Sequence, residues 1–409
     1  VVRVMDTTSL REFFPTMREE NPVTYLDNAC MTLRPDPVIE AITRYYSTTP
    51  SCAGRSVHRW GMKVSQQVAR ARRKMGEHIG APEAAEVIFT RNTTESINRI
   101  ARGLQWNAGD VVLTSDREHN SNLIPWLQTA QRDGIVHRIV DSGEMNRFDL
   151  EAFEDACAQA GDSLRLVSLV HVSNLDGVEI PIKEATKIAH DHGALVHVDA
   201  AQSVPHMPVD VCDLDVDLLS FSIHKMMGPT GMGVLWGRRE ILEELDTSLS
   251  GGGTIASASS EGWEWAGLPQ THEGGLQHYA GIVGTEAALD FISTMSMADM
   301  HAHEVKLNQI ISDGIRNLPG VEIIGPPDAS ERGGICSVLL SDLDVHNVGI
   351  LMDEMSSVFV RSGLHCVNHW FETRDILDGS LRASVYAYNT EEEARLFVDT
   401  FSEIVENLS

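Results

Sequence analysis

The sequence predicts an α/β protein. A large domain carries a mostly parallel sheet flanked by helices, and a smaller α+β domain follows it. Two observations point there. From about residue 84, short β-branched runs alternate with helical stretches of ten or more residues, the pattern of parallel strands joined by helical crossovers. From about residue 280 the style changes to long helices and shorter, separated strand candidates.

The elements follow in order. EVIFT precedes the helical TTESINRIARGL. DVVLTSD precedes an Asn-rich turn and LIPWLQTAQRDG, and LRLVSLVHVSN precedes IKEATKIAHDHG. ALVHVDAAQ, DLLSFSIHK and GVLWG complete the first set. These strands are near-continuous apolar runs, as strands buried on both faces must be. The helix KEATKIAHDHG is expected to stop at Gly193, because glycine accepts the left-handed backbone that closes a helix. The stretch SLSGGGTIASASSEGWEW reads as loop. GIVGTEAALDFISTM and EVKLNQIISDGIRNL read as helices, GGICSVLLS, SVFVRSG and SLRASVYAY as strands, and EEEARLFVDTFSEIVENL as a last helix. The expected division is a segment 1–22 packed on the small domain, a large domain 23–285 and a small domain 286–409. Neither an internal repeat nor a low-complexity tract is evident.

Composition excludes several functions. The net charge is -27 and the pI about 4.9. Such a surface repels nucleic acid and anionic membranes, and it fits solvation in high salt. No apolar run is long enough to cross a bilayer, and VVRVMDTTSLREFF lacks a cleavable apolar core. Six scattered cysteines without a CxxC pair favour a reducing cytoplasm.

In open parallel sheets ligands gather beyond the carboxyl ends of the strands, so the residues that follow each strand carry the functional reading. After EVIFT, Thr93 and Thr94 open a helix, where hydroxyls and free N–H groups suit a phosphate or simply cap the helix. After DVVLTSD, His119 stands at a strand-to-helix junction. After LVSLVHVSN comes Asn174, a turn residue or a ligand. After ALVHVD come Asp199 and Gln202. A carboxylate ending an apolar strand needs a cationic partner, either a structural arginine or a ligand. After LLSFSI come His224 and Lys225, one of few lysines in the chain. Desolvation there would lower the amine's pKa and free a nucleophile, unless the side chain reaches outward. A phosphate site, a ring-stacking histidine, a buried carboxylate and a buried lysine on one sheet edge meet the needs of pyridoxal 5′-phosphate.

The motifs YLDNAC, GRSVH at 54–58, RNTTESIN, REHNSNLIPW, HVSNLDG, HVDAAQ, SFSIHKMMGPTGMG, GGG at 251–253, VRSGLHC and LRASVYAYN run in order along nearly the whole chain. In this the chain resembles the group II cysteine desulfurases of the class V aminotransferase family, the branch that includes selenocysteine-lyase-like enzymes. The resemblance implies fold-type I architecture, a homodimer, L-cysteine as substrate and a sulfur-acceptor protein or scaffold, for iron–sulfur cluster or other thio-cofactor assembly. It implies that Lys225 holds the cofactor covalently and that Asp199 pairs with the pyridine nitrogen. Gln202 and Asn174 would lie near the phenolic oxygen, with Asn174 also near the substrate. His119 would stack on the ring and take part in catalysis. Thr93, Thr94, Ser222 and His224 would take the phosphate, Arg382 the substrate carboxylate, and Cys366 the sulfur.

Leu276, in HEGGLQHYAG, stands where related enzymes often carry a threonine that reaches the partner's phosphate. In LHCVNH (364–369) the two histidines beside Cys366 raise a zinc site as an alternative. A catalytic thiol with a pKa lowered by His365 explains the stretch better. The other five cysteines read as packing or surface residues. The neighbouring functions are selenocysteine lyase or another β-elimination or aminotransferase-type enzyme of this fold. A non-catalytic persulfide carrier is the alternative from another class.

Overall fold

The computed structural model describes residues 7–18 and 23–408. Its centre is a seven-stranded sheet in the order Val87–Thr90, Gly233–Gly237, Leu218–Ser222, Leu195–Asp199, Leu164–Val170, Val111–Ser115, Val136–Val140. Only Gly233–Gly237 runs against its neighbours. The remaining pairings in the sheet are parallel. Alternate residues of one strand enter different cores: Val87 and Phe89 join one cluster, while Ile88 joins the cluster on the other face. Burial on both faces explains why these strands read as continuous apolar runs.

The small domain has a four-stranded antiparallel sheet, ordered Val321–Ile323, Ile335–Leu340, Ser380–Ser384, Arg361–Gly363. Helices Met297–Ile315, Val345–Ser356 and Glu391–Leu408 supply its core with Leu307, Met352 and Phe397. The two lobes are tied at several points. Thr24–Tyr25 pairs in parallel with Val358–Phe359, and Leu26 joins the small-domain core. Tyr386 and Tyr388 enter the large core. Of the N-terminal segment, residues 1–6 and 19–22 lie outside the described residues. In its described part, Leu10 and Phe14 join the large core, and Arg11 pairs with Glu393 of the last helix.

Most expected elements form. The helix Ile182–Asp191 closes with Gly193 at φ 76°. Two stretches differ from expectation. Val136–Val140 is a strand that the sequence hides: it is the sheet edge, half exposed, and carries His137 and Arg138. An edge strand with one wet face lacks the apolar run that marks its neighbours. The run 255–265, read as loop, is an antiparallel hairpin, Ile255–Ser259 with Gly262–Trp265, almost wholly exposed. Helices Asp36–Thr48 and Arg59–His78 pack on Tyr279–Ile292. Among the described residues no helix is long and apolar enough to cross a membrane.

Candidate active site

A cavity of about 250 Å3 opens at the carboxyl ends of the large-sheet strands, closed on one side by the small domain. Thr93, Thr94, His119, Asn174, Asp199, Gln202, Ser222, His224, Lys225 and Arg382 all line it. Cys366, the eleventh expected residue, is not among the lining residues, although its chain neighbour His365 is.

Lys225 ends the short turn Ile223–Lys225 that follows strand Leu218–Ser222. Burial pushes its amine down to about 8, with Asp199 opposing and Arg382 assisting the shift. The other five lysines, Lys63, Lys74, Lys183, Lys187 and Lys306, all sit on helices away from this cavity. Asp199 ends the adjacent strand, 2% exposed. Burial raises its carboxyl to about 6, although it accepts a bond from the Ala201 N–H at 3.0 Å and feels Lys225. Lys225 is thus the cation that Asp199 meets within the chain, through the field and not through an ion pair.

His119 is set by its neighbours. The buried Glu118 carboxylate accepts from Ser115 Oγ, from the Val170 N–H and from Asn122 Nδ2, which locks the turn between two strand ends. His119 then caps helix Asn120–Asp133, its Nδ1 accepting from the Ser121 N–H at 3.0 Å, so the neutral ring carries its proton on Nε2. Burial, with Lys225, Arg361 and Arg382 nearby, pushes this imidazole down to about 3. The ring is neutral at any working pH.

At the other end of the cavity helix Thr93–Gly103 begins. Asn92 Oδ1 accepts from the Glu95 N–H, and Ser222 Oγ accepts from the Thr93 N–H at 2.9 Å. Among the described residues the Thr94 N–H is left without an acceptor. Three hydroxyls, those of Thr93, Thr94 and Ser222, surround it, and burial holds His224 neutral, down to about 4. This end is built for an anion.

Arg382 is 1% exposed. Its Nη1 donates to Asn174 O at 2.9 Å and its Nη2 to Asp27 Oδ1 at 3.2 Å, while Nε is buried without a partner. Asn174 Oδ1 and Gln202 Oε1 are likewise buried and unpartnered. Three orphaned polar atoms on residues that line one cavity mark groups that a ligand could satisfy.

Cys366 lies on a loop with left-handed backbone, φ 60°, following His365 at φ 48°. The loop is pinned to the large domain: the Asn120 N–H donates to Cys366 O at 2.7 Å, and Asn174 Nδ2 donates to His365 O at 2.8 Å. The expectation that His365 activates the thiol does not hold. His365 faces Ser380, its Nε2 lying 2.9 Å from Ser380 Oγ, and burial beside Arg382 and Arg361 drives its pKa far down, so it brings no positive charge. The cation at the thiol is Arg361, whose Nη2 lies 3.9 Å from Cys366 Sγ.

Sequence reasoning missed Arg361, Asp27 and Cys30. Asp27 meets Arg382 across 355 residues of chain, Cys30 sits in a turn, and Arg361 stands on a strand of only three residues. Cys30, read as packing or surface, lines the cavity itself. The side chain of Leu276 is 66% exposed. Gln277 Nε2 beside it is committed to Glu273 O and Gly274 O of its own loop.

A parallel sheet presenting a lysine, a buried carboxylate and a helix N-terminus to one cavity defines a cofactor-dependent α/β transferase. Comparison with known proteins agrees. The aminotransferase class-V family matches residues 24–397. A cysteine desulfurase from Haloferax volcanii is 37% identical over 385 residues, spanning 93% of this chain and 89% of that protein. A probable cysteine desulfurase from Streptomyces coelicolor is 36% identical over 408 residues, spanning 97% and 96%. The apo cysteine desulfurase from Thermococcus onnurineus superposes with a TM-score of 0.93 at 34% identity, over the whole of both chains. The chain belongs to the class-V aminotransferase family, on its cysteine desulfurase branch.

Proposed function

We propose that this protein is a pyridoxal 5′-phosphate-dependent L-cysteine desulfurase that releases L-alanine and collects the sulfur as a persulfide on Cys366. The observation that carries the reading is the pairing of Lys225 inside the cavity with a thiol on a pinned loop at its wall. The residues fit the cofactor. Lys225 would hold its aldehyde carbon, Asp199 its ring nitrogen and His119 its ring face. Gln202 and Asn174 would face its phenolic oxygen, and Thr93, Thr94, Ser222 and His224 its phosphate. When bound, the cofactor supplies an electron sink that makes the substrate's α-carbon acidic.

The chain's own groups do the rest. Arg382, whose buried Nε has no partner within the chain, receives the substrate carboxylate beside Asn174. Lys225 Nζ, with its lowered pKa, carries the proton to and from the α-carbon. The Cys366 sulfur, with Arg361 Nη2 3.9 Å away, attacks the substrate's sulfur as a thiolate, and the carbon–sulfur bond breaks. The persulfide stands on a half-exposed loop from which an acceptor protein can take it. A homodimer covers the exposed apolar side chains Leu276 and Trp263. A reducing cytoplasm suits the free cysteines.

The test is alanine release from L-cysteine by the holoenzyme and by Cys366→Ala. The variant should bind L-cysteine and stop there, with no sulfur on the protein. Undiminished alanine release would show that Cys366 is not the acceptor. Turnover of selenocysteine alone would make the enzyme a lyase.

A further inference from the structure

We infer that Cys30 is a second sulfur-carrying thiol of this enzyme, receiving sulfane sulfur from Cys366 at the edge of the active-site cavity. The inference rests on the desulfurase reading above and goes beyond it. Of the six cysteines, Cys157 and Cys336 are buried, Cys52 packs against the core and Cys212 is exposed on the surface. Cys30 alone lines the cavity, together with Lys225, Arg361 and Arg382.

Its position is fixed from both sides. The turn that bears it is held to the small domain by the Asn28 and Ala29 N–H groups, which donate to Ser384 O and Ser384 Oγ. It is held to the large domain by Gln202 Nε2 donating to Ala29 O at 2.9 Å, and by the Thr32 N–H donating to His224 O at 3.1 Å. The Cys30 N–H closes the turn on Asp27 O at 3.2 Å. A packing cysteine needs no such frame. Cys30 lies close enough to Lys225 and Arg382 to interact with both electrostatically. Arg382, 1% exposed and with its Nε buried without a partner, lines the same cavity as Cys30, so a polar group is left there for a ligand to meet.

Arg361 links the two thiols. It lines the cavity with Cys30, and its Nη2 approaches Cys366 Sγ. The transfer balances without an external oxidant or reductant. The Cys30 thiolate attacks the terminal sulfur of the Cys366 persulfide. One sulfur–sulfur bond forms and the bond to Cys366 breaks. Cys366 leaves as a thiolate, which takes the proton that Cys30 gave up, and the sulfane sulfur keeps its oxidation state. Cys366 is then free for a second cysteine while the first sulfur waits inside the protein.

The experiment uses the holoenzyme and one equivalent of L-cysteine, quenched over time, alkylated and mapped by tandem mass spectrometry, with alanine measured in parallel. The expected result is one added sulfur atom on Cys366 first and on Cys30 later, in a fraction that does not change on dilution. In Cys30→Ser the adduct should be on Cys366 alone, and in Cys366→Ser on neither. The wild-type time course carries the test even if a variant loses its cofactor. Alanine release with an adduct on Cys366 and none on Cys30 at any time overturns the relay and leaves the desulfurase reading intact. An adduct on Cys30 in Cys366→Ser, or one that falls on dilution, also overturns it. Absence of both alanine and any adduct in the wild type overturns the desulfurase reading itself.

Discussion

Lys225 and Asp199 titrate in opposite directions from their ordinary values, and each shift has a consequence. The amine falls from 10.5 to about 8 and the carboxyl rises from 3.8 to about 6. Between about 8 and 10.5 the unfolded chain binds the lysine proton more tightly, so this group makes the cofactor-free protein more stable as pH rises through that window. Between 3.8 and about 6 the folded protein binds the aspartate proton more tightly, so the Asp199 contribution falls as pH rises. Attachment of pyridoxal 5′-phosphate to the apoprotein needs the neutral amine. Its rate should climb about tenfold per pH unit below 8 and level off above it, as followed by absorbance. A rate still climbing at pH 10 would mean that the amine is not desolvated. Borohydride trapping and peptide mapping should place the label on Lys225, and Lys225→Ala should carry none; a label on one of the five helix lysines refutes the assignment. Asp199→Ala should still bind the cofactor yet lose roughly a hundredfold or more in kcat, because a transition-state charge interaction is gone; near-wild-type turnover refutes its role. Ten of the eleven expected site residues meet in one cavity: nine end or closely follow strands of the large sheet, and Arg382 reaches it from strand Ser380–Ser384 of the small-domain sheet. Cys30 and Arg361 were not legible in the same way. A turn residue near the chain start and an arginine on a three-residue strand carry no local pattern that names their neighbours.

At the scale of elements, the anion end of the cavity depends on close approach of two backbones. Gly233 opens the one antiparallel strand of the large sheet, and a Cβ there would lie 2.5 Å from Asn92 Cα and 2.7 Å from Asn92 N. Asn92 caps the helix whose first turn holds Thr93 and Thr94. Backbone cannot yield as a side-chain end can. Gly233→Ala should therefore cost about 1–3 kcal/mol of stability by overpacking, and it should displace the helix start. Equilibrium dialysis should show weaker retention of pyridoxal 5′-phosphate, and inorganic phosphate should protect the variant less than the wild type against thermal unfolding. Unchanged retention would separate the helix start from the phosphate. The glycine is visible in SIHKMMGPTGMG, but its reason is not, since Asn92 lies 141 residues away. Strands with two buried faces announced themselves in the sequence, whereas the edge strand Val136–Val140 and the exposed hairpin 255–265 did not. Their pairing is decided by the neighbour, not by their own composition.

For the whole molecule, charge is the governing quantity. Fifty-nine acidic against 32 basic residues leave -27, spread over a surface of 17448 Å2. Some acids are held in place: Glu273 pairs with Arg72 in the interior, and Asp116 with Arg374. Such enclosed pairs respond little to salt. The remaining excess lies on the surface, where like charges repel in the folded state and separate on unfolding. At 0.1 M ionic strength the screening length is about 10 Å, and at 1 M about 3 Å, shorter than the spacing of most surface carboxylates. Added salt should therefore stabilise this protein by removing repulsion, more than it weakens the exposed ion pairs, which contribute only about 0–1 kcal/mol each. For the proposed homodimer, the same screening should favour association of the two acidic subunits. The measurement is a thermal melt in potassium chloride from 0.1 to 2 M, with light scattering for mass at each point. Tm should rise monotonically by several degrees, most steeply below 1 M, and the dimer fraction should rise with it at fixed protein concentration. Raising salt with the carboxylates already protonated, at low pH, should produce a much smaller gain. A Tm that is flat or falls with salt would show that the acidic surface does not oppose folding, and that exposed ion pairs outweigh the repulsion between unpaired carboxylates.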